Sequence, residues 1–205
     1  KEELVKHLIE SLNYVNKVLL KEHYRCHPKI INFCNKKFYN NELVILTEDK
    51  GEEDVMKVYI TVKGSHARGH YNQRQIDIID KEIMPELKQK LSVDEIGIVS
   101  PYNEQKIRLQ DAINNENIQI DTVHKYQGRE KDAIIITTVN NKISEFIDDP
   151  KMLNVAITRS KRFLRLVVSR DICEKDGNIN DLVKYIKYNN FEVIESNVKS
   201  IFDLL

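Results

Sequence analysis

The chain has 205 residues, 41% hydrophobic and 31% charged, and its 32 Lys and Arg balance 32 Asp and Glu. This composition predicts one globular domain over residues 1–205 and excludes a disordered, collagen-like or generally basic nucleic-acid-binding chain. No stretch approaches the ~20 apolar residues of a membrane span, and the mixed charge at the start is unlike a signal peptide. Three cysteines cannot all pair with one another, which favours reduced thiols. We therefore expect a cytoplasmic protein without membrane contact.

Charge is distributed unevenly along the chain. Residues 151–170 hold no anion and six cations, which are Lys151, Arg159, Lys161, Arg162, Arg165 and Arg170. Because no acidic neighbour in sequence neutralises them, we expect an anionic partner to approach this block. The alternative is that Arg159, Lys161 and Arg162 only cap the negative end of a helix, which stabilises it by a few tenths of a kcal/mol each.

The first half of the chain predicts helices, a short apolar stretch and one strand. Leu4, Leu8 and Leu12 have helical spacing, and an apolar stretch follows at 18–20. Pro28 opens a helix that continues to about Phe38. Residues 55–62 alternate as in a strand, and the pair Asn72 and Gln75 resembles a capping box for a helix over 72–91.

The second half alternates strand and helix. We predict strands over 96–100, 118–122, 133–139 and 163–169, and helices over 103–114 and 149–161. An amphipathic helix through Ile179 and Ile186 closes the chain. Strands that alternate with helices indicate an α/β fold with a mainly parallel sheet and helices on both faces.

Two nucleotide-binding motifs are incomplete. Gly64 to Gly69 has the glycine spacing of a P-loop, but His70 and Tyr71 stand where Lys and Ser or Thr are needed. The acidic pair Asp94 and Glu95 precedes its strand, whereas the magnesium-holding pair of an ATPase follows one. We expect no phosphate cradle in this sequence.

A zinc site is a further alternative. Four possible ligands lie near one another in sequence, His23, Cys26, His27 and Cys34, but they lack the paired spacing of structural zinc sites. His66 and His70 form an equally weak candidate pair. We therefore assign no metal ligands.

Four segments point to one family. They are Glu22–Pro28 (EHYRCHP), Ser100–Gln105 (SPYNEQ), Thr122–Asp132 (TVHKYQGREKD) and Leu153–Lys161 (LNVAITRSK). In sequence and order they resemble the motifs of the second RecA-like lobe of superfamily 1 helicases of the up-frameshift type, over about residues 12–170. The resemblance implies a RecA-like fold that lacks Walker A and B, with a closing strand and helix over 163–205. Met152 and Gln75 depart from the Arg and Glu common in the family.

The resemblance implies a nucleotide site that this chain only completes. Arg25 and Arg159 are similar to the arginines that contact the γ-phosphate, and a guanidinium suits that task because it stays charged and binds two phosphate oxygens at once. Glu130 is implied to accept hydrogen bonds from the ribose, with Gly128 and Arg129 beside it. The implied cofactor, ATP with Mg²⁺, is held mainly by an N-terminal RecA-like lobe of the same polypeptide. A surface ion pair of Glu130 with Arg129 or Lys131 is the alternative.

Nucleic-acid contacts are expected at the strand ends. The candidates are Ser100, Tyr102, Gln105, Thr122 and His124. Their hydroxyl and amide groups suit a sugar-phosphate backbone, and a tyrosine can stack on an unpaired base, so the expected partner is single-stranded DNA or RNA bound without sequence preference. Core packing and capping are the alternative roles.

The predicted function is that of the C-terminal motor domain of an ATP-dependent helicase or translocase, a hydrolase that is inactive as this chain alone. A non-catalytic, helicase-derived module that binds nucleic acid or regulates another protein remains as an alternative. A metal-dependent nuclease built on Glu104 near Lys106 lacks a second acidic residue at a convincing position.

Overall fold

The structure is a computed structural model that describes residues 21–64, 66–126 and 128–199. The helix predicted through Leu4 and Leu12 and the apolar stretch at 18–20 lie outside the described residues. The strands are β1 Glu22–His23, β2 Val44–Ile45, β3 Met56–Ile60, β4 Ala67–Arg68, β5 Tyr71–Asn72, β6 Ile96–Ser100, β7 Gln119–Thr122, β8 Lys131–Thr137, β9 Ser160–Val168 and β10 Glu192–Glu195.

Helices connect most of these strands. They are α1 Pro28–Phe38, α2 Gln73–Ile78, which runs on through a π-helical turn Ile79–Ile83 into α3 Met84–Leu87, then α4 Asn103–Ile113, α5 Pro150–Ile157, α6 Arg170–Cys173 and α7 Asn178–Tyr188; a 3₁₀ turn spans Val93–Glu95. Among the described helices, none combines the length and the apolar character needed to cross a membrane.

Six strands form one parallel sheet in the order β10-β3-β9-β8-β6-β7. An apolar core lies on each face. On one face the strands pack with α1, α5 and α7, through residues such as Ile30, Leu153 and Leu182. The helical run from α2 to α3 packs with α4 on the other face, through Ile79 and Leu109. The predicted parallel α/β sheet with helices on both faces is confirmed.

Two helices differ from their predictions. Asn72 caps α2 by accepting the N–H of Gln75, but the Gln75 side chain turns into the core instead of completing a capping box. The helix predicted over 149–161 ends at Ile157, because Ser160 already pairs with Lys131 in the sheet. Arg159 therefore lies in a tight turn between α5 and β9, and not within a helix.

Two edges of the sheet matter for function: the amino edge, where the parallel strands begin, and the carboxyl edge, where they end. At its amino edge, Glu130 immediately precedes β8 and Arg159 immediately precedes β9. At its carboxyl edge, Ser100 at the end of β6 is in register with Thr122 at the end of β7. Residues 123–130 run from the carboxyl end of β7 to the amino end of β8, and we call them the crossing segment; Gln127 within it lies outside the described residues.

Candidate nucleotide and nucleic-acid sites

Arg25 and Glu130 form an ion pair at the amino edge of the sheet. Arg25 Nε lies 2.7 Å from Glu130 Oε2, and each side chain is 39% exposed. Arg25 Nη1 also lies 3.5 Å from the carbonyl oxygen of Thr158. The Arg25 segment is held there because the His27 N–H donates to the Lys161 carbonyl at 2.7 Å. Two residues more than 100 positions apart therefore meet in one place.

Arg159 lies beside this pair and is half-buried. Its Nε donates to the carbonyl oxygen of Val155 at 3.2 Å, so it does cap the last turn of α5. Its terminal Nη groups have no hydrogen-bond partner within the described part of the chain. Burial, and then the positive charge of Arg25, lower the pKa of Arg159. Capping therefore occupies only one nitrogen of the guanidinium, and the fork of the other two is available for an anion.

An open pocket of about 440 Å³ lies at the same edge. Its lining residues are Glu22, His23, Tyr24, Arg25, Glu130 and Lys161. Tyr24 is 67% exposed and its hydroxyl donates to Glu22. Tyr24, which precedes Arg25, is a residue of this pocket for which the sequence predicted no role. Lys161, two residues after Arg159, was predicted only as a member of the basic block or as a helix cap, and it also lines the pocket.

The remaining cations of the 151–170 block are mostly neutralised. Arg165 is fully buried and paired with Asp54 and Glu86, at 2.9 and 2.7 Å. Arg162 pairs with Asp132 at 3.3 Å and Arg170 with Glu195 at 3.1 Å. The expectation that an anion approaches the whole block is therefore too broad, because acidic residues distant in sequence occupy most of it.

The crossing segment carries the other predicted nucleotide contacts. Gly128 has φ +80°, a left-handed conformation that favours glycine, and a Cβ there would meet no atom within 4 Å. Arg129 is exposed and its Nη1 lies 3.9 Å from Asp121. Since Glu130 pairs with Arg25, it does not form the alternative ion pair with Arg129 or Lys131.

Two of the five nucleic-acid candidates are fully buried. Ser100 Oγ donates to the Tyr102 carbonyl at 3.0 Å and lies 3.1 Å from the Tyr102 N–H. Gln105 Oε1 accepts the Asn72 N–H at 2.8 Å, and its Nε2 donates to Thr137 Oγ1 at 3.1 Å. In this arrangement the hydrogen bonds of both side chains are made within the protein, because no part of either side chain is exposed.

The other three candidates are accessible. Tyr102 and Thr122 are half-buried and His124 is exposed. The Tyr102 ring stacks with His70, at a centroid distance of 4.6 Å, and with Phe146 at 5.3 Å. The sequence predicted no role for Phe146, and it indicated His70 only as part of an incomplete P-loop or a weak metal pair. A lone aromatic residue in a polar loop was the signal available for Phe146.

Gln75 has a structural role that its position in the motif pattern did not reveal. Its Oε1 accepts the N–H groups of Thr138 and Val139, at 3.1 and 3.0 Å. Val139 has φ +64°, a strained conformation for a β-branched residue. Asn72 Nδ2 donates to the Val139 carbonyl at 2.8 Å. Together, Gln75 and Asn72 hold the backbone where the loop after β8 begins.

The zinc alternative finds no support in the described geometry. No three of the ligand atoms of the described residues His23, Cys26, His27 and Cys34 lie close enough together to share an ion. Burial raises the pKa of the Cys26 thiol to about 12 and raises the pKa of the Cys34 thiol well above its usual value. His23 Nε2 accepts the Cys26 N–H at 2.9 Å. The His23 ring therefore holds the local backbone, and the two cysteine side chains pack in the core.

One other group of possible ligands, His27, Asp49 and Glu52, occurs in the described residues. His27 Nδ1 accepts the Lys29 N–H at 3.1 Å, which places the proton of the neutral ring on Nε2, beside Glu52 Oε2 at 3.2 Å. Lys29 Nζ also lies 3.2 Å from Asp49. A protonated Nε2 and a neighbouring ammonium both oppose a cation, so these residues clamp the acidic loop onto α1.

Comparison with known proteins agrees with the motif pattern. A family model described as an AAA domain matches residues 1–171. An uncharacterized ATP-dependent helicase of Methanocaldococcus jannaschii is 32% identical over 91% of this chain and 32% of its own length. DNA polymerase alpha-associated DNA helicase A of Saccharomyces cerevisiae is 28% identical over 80% of the chain and 28% of its length. The regulator of nonsense transcripts 1 homolog of Drosophila melanogaster is 26% identical over 82% and 16%. The chain thus spans about a third or less of these relatives.

Proposed function

The chain belongs to the AAA-domain family, and we propose that it is the C-terminal motor lobe of an ATP-dependent helicase or translocase, as its resemblance to superfamily 1 helicases implies. In this proposal it completes an ATP site held mainly by an N-terminal lobe and binds one strand of DNA or RNA. One of its relatives is named as a DNA helicase, and another is named as an ATP-dependent helicase without a stated substrate. The proposal covers ATP hydrolysis by the complete polypeptide and not by this chain alone.

One observation carries the proposal, which is the meeting of Arg25, Glu130 and Arg159 at one exposed edge. Two guanidinium groups close together repel each other, and a single carboxylate neutralises only one of them. Such an arrangement suits a polyanion with a sugar attached, since phosphate oxygens bind arginine and ribose hydroxyls donate to a carboxylate. Because the sequence lacks a phosphate cradle, the three residues fit a half-site that a second lobe completes.

The crossing segment supports a link between ATP and nucleic acid. It begins at the exposed His124 near the carboxyl edge and ends at Glu130 in the pocket of the amino edge. Tyr126 anchors it in the core, because its hydroxyl packs against Gly97, where a Cβ would lie only 1.9 Å from that oxygen. A segment that carries a residue of each site can couple ATP binding to nucleic-acid binding when the lobes close.

The test is ATP turnover by the full-length protein with and without single-stranded DNA or RNA. We expect nucleic acid to stimulate turnover, and Arg25→Ala to reduce the stimulated rate by about 10²-fold or more. Arg162→Ala is the matched control, because Arg162 is an ion-paired arginine outside the pocket. Wild-type protein that hydrolyses no ATP under any of these conditions would contradict the motor function and favour the non-catalytic module.

A further inference from the structure

Three aromatic rings from three separate segments stack in a row. His70 lies in the turn between β4 and β5, Tyr102 follows β6, and Phe146 lies in the loop between β8 and α5. The ring planes of His70 and Tyr102 differ by 19°, and those of Tyr102 and Phe146 by 27°. We call these three residues the aromatic ladder.

The outer rings of the ladder are open to solvent. His70 is exposed and Phe146 is 43% exposed, whereas Tyr102 is half-buried. A base stacks on a ring face that is free, and Tyr102 already has two stacked neighbours. The rings that remain available for a new stacking partner are therefore those of His70 and Phe146.

Hydrogen bonds from side chains to backbone hold the three segments in place. Gln105 accepts the N–H of Asn72 at the end of the β4–β5 hairpin. Asn141, in the loop that carries Phe146, accepts the N–H groups of His66 and Ala67, at 3.1 and 3.2 Å. Ser100 in turn holds the backbone of Tyr102. A surface built in this way loses little entropy when a flat ligand stacks on it.

We propose that His70 and Phe146, the outer rings of the aromatic ladder, stack on unpaired bases of a single-stranded nucleic acid. This inference rests on the proposed function and deepens it. It transfers the base contact expected of Tyr102 to two residues outside the four motifs, and it makes Ser100 and Gln105 positioning residues. Stacking on a ring is tolerant of base identity, so the ladder provides affinity without reading sequence.

The experiment compares the binding of strands that carry bases with the binding of abasic strands. Fluorescence anisotropy of the full-length protein is measured with labelled oligothymidine and oligouridine of about 12 nucleotides, and with abasic oligonucleotides of the same length and charge. We expect wild-type protein to bind the base-containing strands at least about 5-fold more tightly than the abasic ones. His70→Ala combined with Phe146→Ala should remove most of that preference and leave abasic binding unchanged.

Two further variants serve as controls. Tyr188→Ala removes an aromatic residue that is 85% exposed on α7, outside the ladder, and should leave the preference for bases intact. Phe146→Tyr keeps an aromatic ring and should also keep the preference. If the double variant retains the wild-type preference for bases, the ladder is not a stacking surface. The same conclusion follows if wild-type protein binds both kinds of strand equally. Neither result contradicts the proposal that the protein binds nucleic acid. Wild-type protein that binds no strand would overturn the proposed function and the ladder with it.

Discussion

Arg25 Nε and Glu130 Oε2 are 2.7 Å apart, so the residue proposed to bind the γ-phosphate and the residue proposed to bind the ribose neutralise each other. Each of the two side chains is 39% exposed, and an ion pair of that exposure stabilises the fold by about 1 kcal/mol or less. A bound nucleotide can therefore separate the two side chains at little cost, since a phosphate group and ribose hydroxyls replace the lost partners.

The first prediction concerns ATP binding by this chain alone. Two arginines and one carboxylate at an exposed edge lack the cradle of backbone N–H groups that holds phosphates in a P-loop. We expect isothermal titration calorimetry to detect weak ATP binding at most, with the full-length protein measured in parallel. Micromolar affinity of the chain alone would mean that it contains a complete nucleotide site and that the half-site interpretation is wrong.

The second prediction concerns Arg159 in the full-length protein. Arg159→Lys keeps a positive charge but loses the planar fork, and Arg159→Ala loses both. Because Nε alone caps α5, we expect both variants to lower nucleic-acid-stimulated kcat by about 10²-fold or more, with Ala at least as severe as Lys. The melting temperature and the affinity for ATP should change little.

A purely structural Arg159 would behave differently. If it served only as a helix cap, the Lys variant would be nearly neutral and the Ala variant would lower the melting temperature without a selective loss of turnover. A Lys variant with near-normal kcat would therefore remove Arg159 from the proposed catalytic residues.

The third prediction separates a ribose contact from a surface ion pair at Glu130. Hydrogen bonds to a charged group contribute about 1.5–3 kcal/mol, so wild-type full-length protein should have a KM for ATP at least about 10-fold lower than for 2′-deoxyATP. In Glu130→Ala the ratio of the two KM values should approach one. Loss of Glu130 also frees Arg25 from its ion pair, but this does not change the ratio, because both nucleotides carry the same triphosphate. Stability should fall by about 1 kcal/mol or less.

Glu195→Ala is the matched control for Glu130, because Glu195 forms a comparable exposed ion pair with Arg170 at 3.1 Å. It should keep the wild-type preference for ATP. An unchanged preference in Glu130→Ala as well would leave Glu130 as no more than a surface ion-pair partner of Arg25.

The fourth prediction is a pH dependence of stability that originates at Glu86. Burial by itself raises the pKa of this carboxyl, but Arg165, Tyr59 and Lys57 together lower it to about 2. A carboxyl whose pKa is lower in the folded than in the unfolded state stabilises the fold above its unfolded value of about 4.3. That stabilisation is lost as the pH falls from about 5 towards 2.

Urea unfolding of this chain at a series of pH values tests the prediction. Glu86→Gln should be less stable at neutral pH, because it leaves the fully buried Arg165 with one acidic partner fewer, and its stability should decline less steeply below pH ~5. Glu116→Gln, at an exposed turn, should follow the wild-type curve. Parallel pH curves for wild type and Glu86→Gln would show that Glu86 is not a source of the acid sensitivity.

The sequence by itself determined the parallel α/β sheet and the positions of most of its strands. Strand β6 was predicted to its end residues, Ile96 and Ser100, and Pro28 and Asn103 each begin a helix as predicted. These features depend on periodicity and capping, which involve residues within a few positions of one another. The motif residues Arg25, Glu130 and Arg159 were likewise identified from short contiguous segments.

Only the tertiary structure decided which of these side chains remain available to a ligand. Arg165 and Arg159 belong to the same basic block, yet Arg165 is buried against Asp54 and Glu86 while Arg159 faces the pair of Arg25 and Glu130. Burial and ion pairing depend on residues that are distant in sequence and adjacent in space, so local spacing cannot reveal them. For the same reason the aromatic ladder, which three separate segments form, could not be predicted from the sequence.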